Sequence, residues 1–160
     1  MTTQDVNALV IERTLASPID MVWRMWTDPQ HFVQWYGPPG ASFPEVTMDV
    51  QVGRRRLLCM EVVTPLGERR MWFTGEYLEV VENHLLVYTD ALSDADGNVL
   101  KPEEAGMPAG HPPLTEVRVE LAIADAGTRM LLTHRGIPAD SPGAAGWQMA
   151  LDKLEQLLGD

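Results

Sequence analysis

The chain is nearly devoid of sulfur that could crosslink it. Cys59 is the one cysteine in 160 residues, so no intrachain disulfide can form, and a reducing, cytoplasmic home is expected. Basic charge is scarce too. Twelve Lys and Arg face 23 Asp and Glu, for a net charge of -11 and a pI near 4.7. Such a surface repels phosphate, which argues against nucleic acid and against anionic membranes as partners. The one basic run, Arg54-Arg55-Arg56, stands at a strand start and reads as a solvated edge. No apolar run reaches the roughly 20 residues needed to span a bilayer, and no charged-then-apolar leader opens the chain. There is no Gly-x-Ser-x-Gly elbow and no glycine-rich loop after a strand, so serine nucleophile and nucleotide cradle both lack a signature. His31, His84, His111 and His134 are dispersed, without the i, i+4 spacing of metal ligands. Neither metal nor cofactor is expected.

What is present is apolar and aromatic surface in a regular order. Apolar residues make up 45% of the chain, the level of an ordinary globular protein. Its length predicts one domain over residues 1–160, burying roughly two-thirds of its unfolded surface. Three of the five Trp lie between residues 23 and 35. There Ser17 is placed to cap a helix, Pro18 to open it and Asp20 to sit in its first turn. Ile19, Val22, Trp23 and Trp26 follow at i, i+3, i+4 and i+7. Asp28-Pro29 repeats the start signal for a second short helix, whose apolar face is Phe32, Trp35 and Tyr36.

Strand patterns occupy residues 6–14, 43–50, 55–63, 70–81, 85–89, 115–123 and 129–135. In the third, Leu58 and Met60 share one face while Leu57 and Cys59 share the other, which makes Cys59 a buried, inert thiol. Residues 90–114 lack periodicity and read as a long loop, either one able to gate a site or an inert insertion. A final helix opens at Asp140-Ser141-Pro142, with Trp147, Ala150, Leu151, Leu154, Leu157 and Leu158 on its apolar side. Consecutive strands with short turns favour an antiparallel meander, and an amphipathic helix must bury its stripe. The predicted fold is therefore α+β: a curved antiparallel sheet of about six or seven strands wrapped around a long C-terminal helix, with two short helices after the first strand. An apolar pocket is expected between sheet and helix.

The blocks Ser17-Pro18-Ile19-Asp20-Met21-Val22-Trp23, Trp26-Thr27-Asp28-Pro29, Trp35-Tyr36-Gly37-Pro38, Gly75-Glu76-Tyr77-Leu78-Glu79-Val80-Val81, Asp94-Ala95-Asp96-Gly97-Asn98, Thr133-His134-Arg135-Gly136 and Gly146-Trp147-Gln148 resemble a known group. Together they are similar to the helix-grip, or START-like (SRPBCC, Bet v 1-like), superfamily. More closely they resemble the family named after the activator of Hsp90 ATPase. The resemblance covers nearly the whole chain. It implies a helix-grip fold with a cavity; superfamily members bind lipids, hormones and polyketides, and some cyclise or dehydrate their ligands.

The expected function is binding of a small hydrophobic molecule rather than catalysis. Trp35, Tyr36, Met60, Trp72, Tyr88, His134, Trp147 and Leu151 are the expected wall, because aromatic and methionine side chains give adaptable apolar surface with polar tips. Each of these side chains could equally be plain core. No catalytic residue is assigned. His134 and Glu76 are the two groups considered for acid–base work, against the alternatives of a strand-end imidazole bonded to nearby backbone and a carboxylate facing solvent. A cyclase, dehydratase or hydrolase on the same scaffold is the second reading. An interaction module with an Hsp90-type chaperone as partner is the third.

Overall fold

The structure, a computed structural model, describes residues 8–101, 103–104, 114–137 and 142–159. Its elements run β1 (Ala8–Leu15), α1 (Ile19–Thr27), α2 (Pro29–Phe32), β2 (Ser42–Met48), β3 (Arg55–Thr64), β4 (Gly67–Val81), β5 (Leu85–Ser93), β6 (Thr115–Ala124), β7 (Gly127–Arg135) and α3 (Pro142–Gly159). The strands form one sheet in the order β1-β7-β6-β5-β4-β3-β2, antiparallel at every pairing. This is the open, curved sheet with a C-terminal helix that the order of sequence patterns predicts.

Register decides which residues face the helices, because directly opposed side chains share a face. The pairs Leu9–His134, Ile11–Leu132 and Arg13–Met130 continue across β6 as Val117, Val119 and Leu121. Beyond lie Tyr88 and Leu86 on β5, then Tyr77 and Val80 on β4. The register shifts between Tyr77 and Glu79, and this bulge keeps both Tyr77 and Val80 on the inner face. On β3 the inner residues are Arg56, Leu58 and Met60, opposite Gly75, Phe73 and Met71.

Val22, Trp23, Met25 and Trp26 of α1 are buried against this face. On α3 the buried side is Ala144, Trp147, Ala150, Leu151 and Leu154, while Leu157 is 45% exposed and falls outside the stripe that its spacing suggests. Arg13 ties β1 to α3 through Asp152 (2.8 Å) and Glu155 (3.1 Å).

Two local expectations are corrected and a third holds. Ser17 does not cap α1: Pro18 is the N-cap residue and makes no side-chain cap bond. Ser17 instead accepts a hydrogen bond from the Thr128 hydroxyl on its carbonyl (2.8 Å), which pins the end of β1 to β7. The cap signal at Asp28 does work, its carboxylate accepting from the Gln30 amide (2.9 Å). Finally, the expected loop 90–114 begins too early. Strand β5 runs on to Ser93, Ser93 bridges to Val99, and Asp94 folds the turn between them by accepting from the amides of Asp96 and Asn98. Residues 102 and 105–113, where the gating segment and His111 were expected, lie outside the described residues, as do Asp140 and Ser141.

Candidate functional site

A strip of polar side chains crosses the inner face of the sheet from α3 to β3. At the α3 end, Trp147 donates its indole N–H to His134 Nδ1 (2.8 Å). His134 Nε2 lies 2.7 Å from the Thr115 hydroxyl. That hydroxyl donates to the Asp90 carbonyl oxygen (3.0 Å). With Nδ1 accepting and the Thr115 proton directed to Asp90, the pattern assigns the ring proton to Nε2. His134 is thus engaged at both nitrogens and is a buried imidazole that spans two strands and a helix.

The β3 end is chemically different. Arg56, a residue expected at a solvated edge, is 1% exposed. Its guanidinium carbon lies 4.0 Å above the Tyr88 ring and 5.5 Å from that of Phe32, a cation–π sandwich between β5 and α2. Nη1 approaches the Asp90 carboxylate at 3.4 Å, a long contact for a charged pair. Gly75 lets the backbones of β4 and β5 approach closely beside Arg56. A Cβ there would stand 1.8 Å from the Thr89 carbonyl oxygen and 3.3 Å from Arg56 Cγ.

Around this cation, Arg56 Nε and the hydroxyls of Tyr77 and Tyr88 are buried and, among the described residues, none has a partner in good hydrogen-bond geometry, although the Tyr77 hydroxyl lies close enough to Arg56 to be influenced by it. Folded proteins rarely tolerate such groups, each costing about 1–3 kcal/mol. Three together on one inner face are therefore informative.

Electrostatics follow from the burial. Removal from water pushes the Asp90 carboxyl up to about 6, with Arg56 pulling the other way. Burial likewise raises the Tyr36, Tyr77 and Tyr88 hydroxyls, which Arg56 partly offsets. Burial opposes the charge on Arg56 itself, but Tyr88, Tyr77, Asp90 and Tyr36 more than compensate, so the guanidinium stays charged.

The expected wall residues separate into three groups. Tyr88 belongs to the polar end described above, and partly buried Tyr36 joins it from just after α2. Trp35, His134, Trp147 and Leu151 are buried. Trp35 donates to the Met25 carbonyl (2.8 Å) and meets Trp26 edge-on at 4.7 Å, while Tyr36 stacks on Phe32 at 4.6 Å. Met60 is buried at the β3 end of the inner face. Trp72 pairs with Cys59 and Ser93, on the opposite face of the sheet from Arg56 and Leu58. Glu76 is exposed, pairs with Arg55 and sits on that same outer face. Cys59 is buried and free, its thiol pushed up by burial.

Arg56, Tyr77 and Asp90 are the residues that the sequence reading passed over. The signal was there for the first. Alternation counted back from Met60 and Leu58 lands on Arg56. Among the described residues, no group of three or more His, Cys, Asp or Glu could hold a metal. A shallow depression of about 320 Å³ lined by His84, Leu85, Arg118, Glu120, Leu121, Ala122, Arg129 and Leu131 contains none of the polar strip.

A curved antiparallel sheet, two short helices after its first strand and a long C-terminal helix define the helix-grip class, and a buried polar strip on the concave side is where this chain departs from a purely apolar core. The model of the family described as activator of Hsp90 ATPase homolog 1-like protein matches residues 16–159, and the chain belongs to that family. A crystal structure of a protein from Chromobacterium violaceum is similar at 25% identity and a TM-score of 0.76, covering 96% of this chain and 99% of that one. One from Mycobacterium smegmatis matches at 24% identity and TM-score 0.75, over 96% and 91% of the two chains. The AHSA1 protein from Silicibacter pomeroyi matches at 22% and 0.74, over 95% and 97%. No curated protein matches the chain. Among the described residues, no helix is long and apolar enough to cross a membrane.

Proposed function

We propose that the protein binds a small, largely apolar molecule between the concave face of the sheet and α3, with the polar end of that molecule against Arg56, Tyr77 and Tyr88. The observation that carries this reading is the set of three buried polar atoms that have no hydrogen-bond partner among the described residues, at the β3 end of the inner face. A ligand that offers oxygen acceptors would satisfy them, and the fold family supplies the precedent of a binding scaffold. Tyr36, Met60, His134, Trp147 and Leu151 are the remaining contacts proposed for the apolar body. Trp72 and Glu76 are not included, since they stand on the outer face.

The test is a thermal-shift and native mass spectrometry screen with apolar aromatic and acyl compounds. Compounds that bind should raise the melting temperature, a ligand at one hundred times its Kd contributing about 2.7 kcal/mol. Absence of any stabilisation or mass adduct across the panel would overturn the reading.

An enzymatic role on the same scaffold has one specific support: Asp90 is an inward carboxylate whose pKa near 6 suits general acid–base work. Turnover of a bound compound that is lost in Asp90→Asn, with folding retained, is its signature. Chaperone contact is supported by the family name alone, and a pulldown with Hsp90 tests it.

A further inference from the structure

Resting on the binding reading above, we infer that the polar end of the ligand is a carboxylate, and that its binding is accompanied by uptake of a proton at Asp90.

The geometry of Arg56 points to the first half. Asp90 approaches Nη1, whereas the partnerless atom is Nε. Nε–H and the adjacent Nη2–H form the planar edge of a guanidinium that takes a carboxylate side-on. The ring of Tyr88 lies under that guanidinium, and Tyr77 stands opposite Tyr88 across β4 and β5. Both hydroxyls are able to donate and neither meets an acceptor among the described residues. Charged and neutral donors around one buried cation match two oxygens that share a negative charge. An amine would instead meet a buried positive charge. An alcohol would leave at least one of the three groups unsatisfied.

The second half follows from charge counting. Arg56 and Asp90 already balance one another. A ligand carboxylate would place two anions on one guanidinium inside the protein, where like charges disfavour joint ionisation. One proton resolves this, and Asp90 is the place for it. Its side chain is 12% exposed and its carboxylate is held only by the long contact to Arg56. The other groups facing it are Arg56 from β3, Tyr36 after α2 and Tyr88 on its own strand, while His134 from β7 reaches its backbone carbonyl through Thr115. The tyrosines, raised by burial, stay neutral near pH 7. His134 is the competing proton acceptor, and protonating its Nδ1 would break the Trp147 bond.

The experiment is isothermal titration with matched probes: 2-naphthoate against 2-naphthol, and decanoate against 1-decanol. Each is run from about pH 5.5 to about pH 7.5 in two buffers of different ionisation enthalpy, so that proton uptake is read directly. The carboxylates should bind at least ~10-fold tighter than the alcohols. Above about pH 6 their affinity should weaken by up to tenfold per pH unit, with one proton taken up. Asp90→Asn should bind them with a flat pH profile and more tightly than wild type at the upper end. Tyr77→Phe and Tyr88→Phe should each weaken the carboxylate by about 3- to 10-fold and the alcohol less; these variants carry the test if an Arg56 variant fails to fold. Alcohols that bind as well as carboxylates would overturn the carboxylate assignment while leaving the binding reading in place. Binding of carboxylates without proton uptake would overturn the role of Asp90, and so would a pH dependence that survives in Asp90→Asn, which would place the proton on His134. If neither class binds, the reading on which this inference rests falls as well.

Discussion

The two halves of the concave face are built differently. On the β1–β7–β6 side, Leu9, Ile11, Leu132, Met130, Val119 and Leu121 meet α1 and α3 as an apolar layer, and the polar groups at its edge, His134 and Thr115, are hydrogen-bonded. Even the indole N–H of Trp26 there ends on a sulfur, Met130 Sδ at 3.3 Å. On the β5–β4–β3 side, the same face carries a buried cation, a carboxylate that is largely buried and two tyrosine hydroxyls without partners among the described residues. The first half contributes stability by removing apolar area from water. The second costs stability, since a buried ion pair seldom recovers its full desolvation. A fold that keeps such a cost on one side of its core has a use for it, and binding is the use proposed here.

That contrast can be broken by substitution. The largest effect belongs to the apolar layer and its aromatic cover. Trp35→Ala empties a fully buried site between Trp26 and Phe32 and should lose about 3–5 kcal/mol in urea denaturation. Arg56→Met should be comparable near neutral pH, about 3–5 kcal/mol, because it strands Asp90 as an uncompensated buried charge. Its cost should shrink on mild acidification, as Asp90 becomes neutral. The double variant Arg56→Met with Asp90→Asn should recover most of the loss. If the double variant is as unstable as the single one, the pair is not coupled and the contrast fails.

A pH series sharpens the comparison further. The carboxyl of Asp90 is raised from its ordinary 3.8 to about 6 by burial, so the folded protein holds this proton more tightly than the unfolded chain does. Its stabilising contribution is complete below the ordinary value and is lost as pH rises through about 6. Wild type should therefore lose roughly 3 kcal/mol relative to Asp90→Asn between about pH 4 and about pH 7.5. Chemical denaturation at several pH values measures this, and parallel curves for the two proteins would contradict it. The smallest expected effect has the opposite sign. Tyr88→Phe keeps the ring under Arg56 but removes a buried hydroxyl that has no partner among the described residues, and should stabilise the free protein by about 1 kcal/mol, whereas an equivalent loss of a polar group from a satisfied core destabilises it.

Much of this was legible in the residues. The order of elements followed from alternation and from 3.6-residue spacing, and the cap at Asp28 from its short side chain beside a proline. The inner and outer faces of β4 were not legible. Without a known register, Trp72 looked like cavity wall and Glu76 like a possible inward acid, yet Phe73, Gly75 and Tyr77 are the inward residues and the other two face out. The bulge after Tyr77 hides the parity, because it restarts the alternation in the middle of the strand. Arg56 and Asp90 failed for another reason. Each was read by its charge, as strand edge or loop, when its position, two residues before Leu58 for Arg56 and two after Tyr88 for Asp90, already placed it on their face.

By itself, then, the sequence determined the family, the strand and helix order, and the apolar stripes that must be buried, because these depend on local periodicity and on motifs that persist along the chain. Only the tertiary structure decided that Arg56 and Asp90 meet inside. Their contact joins β3 to β5 across β4, and whether a charge is buried depends on register and on the helices that close over it.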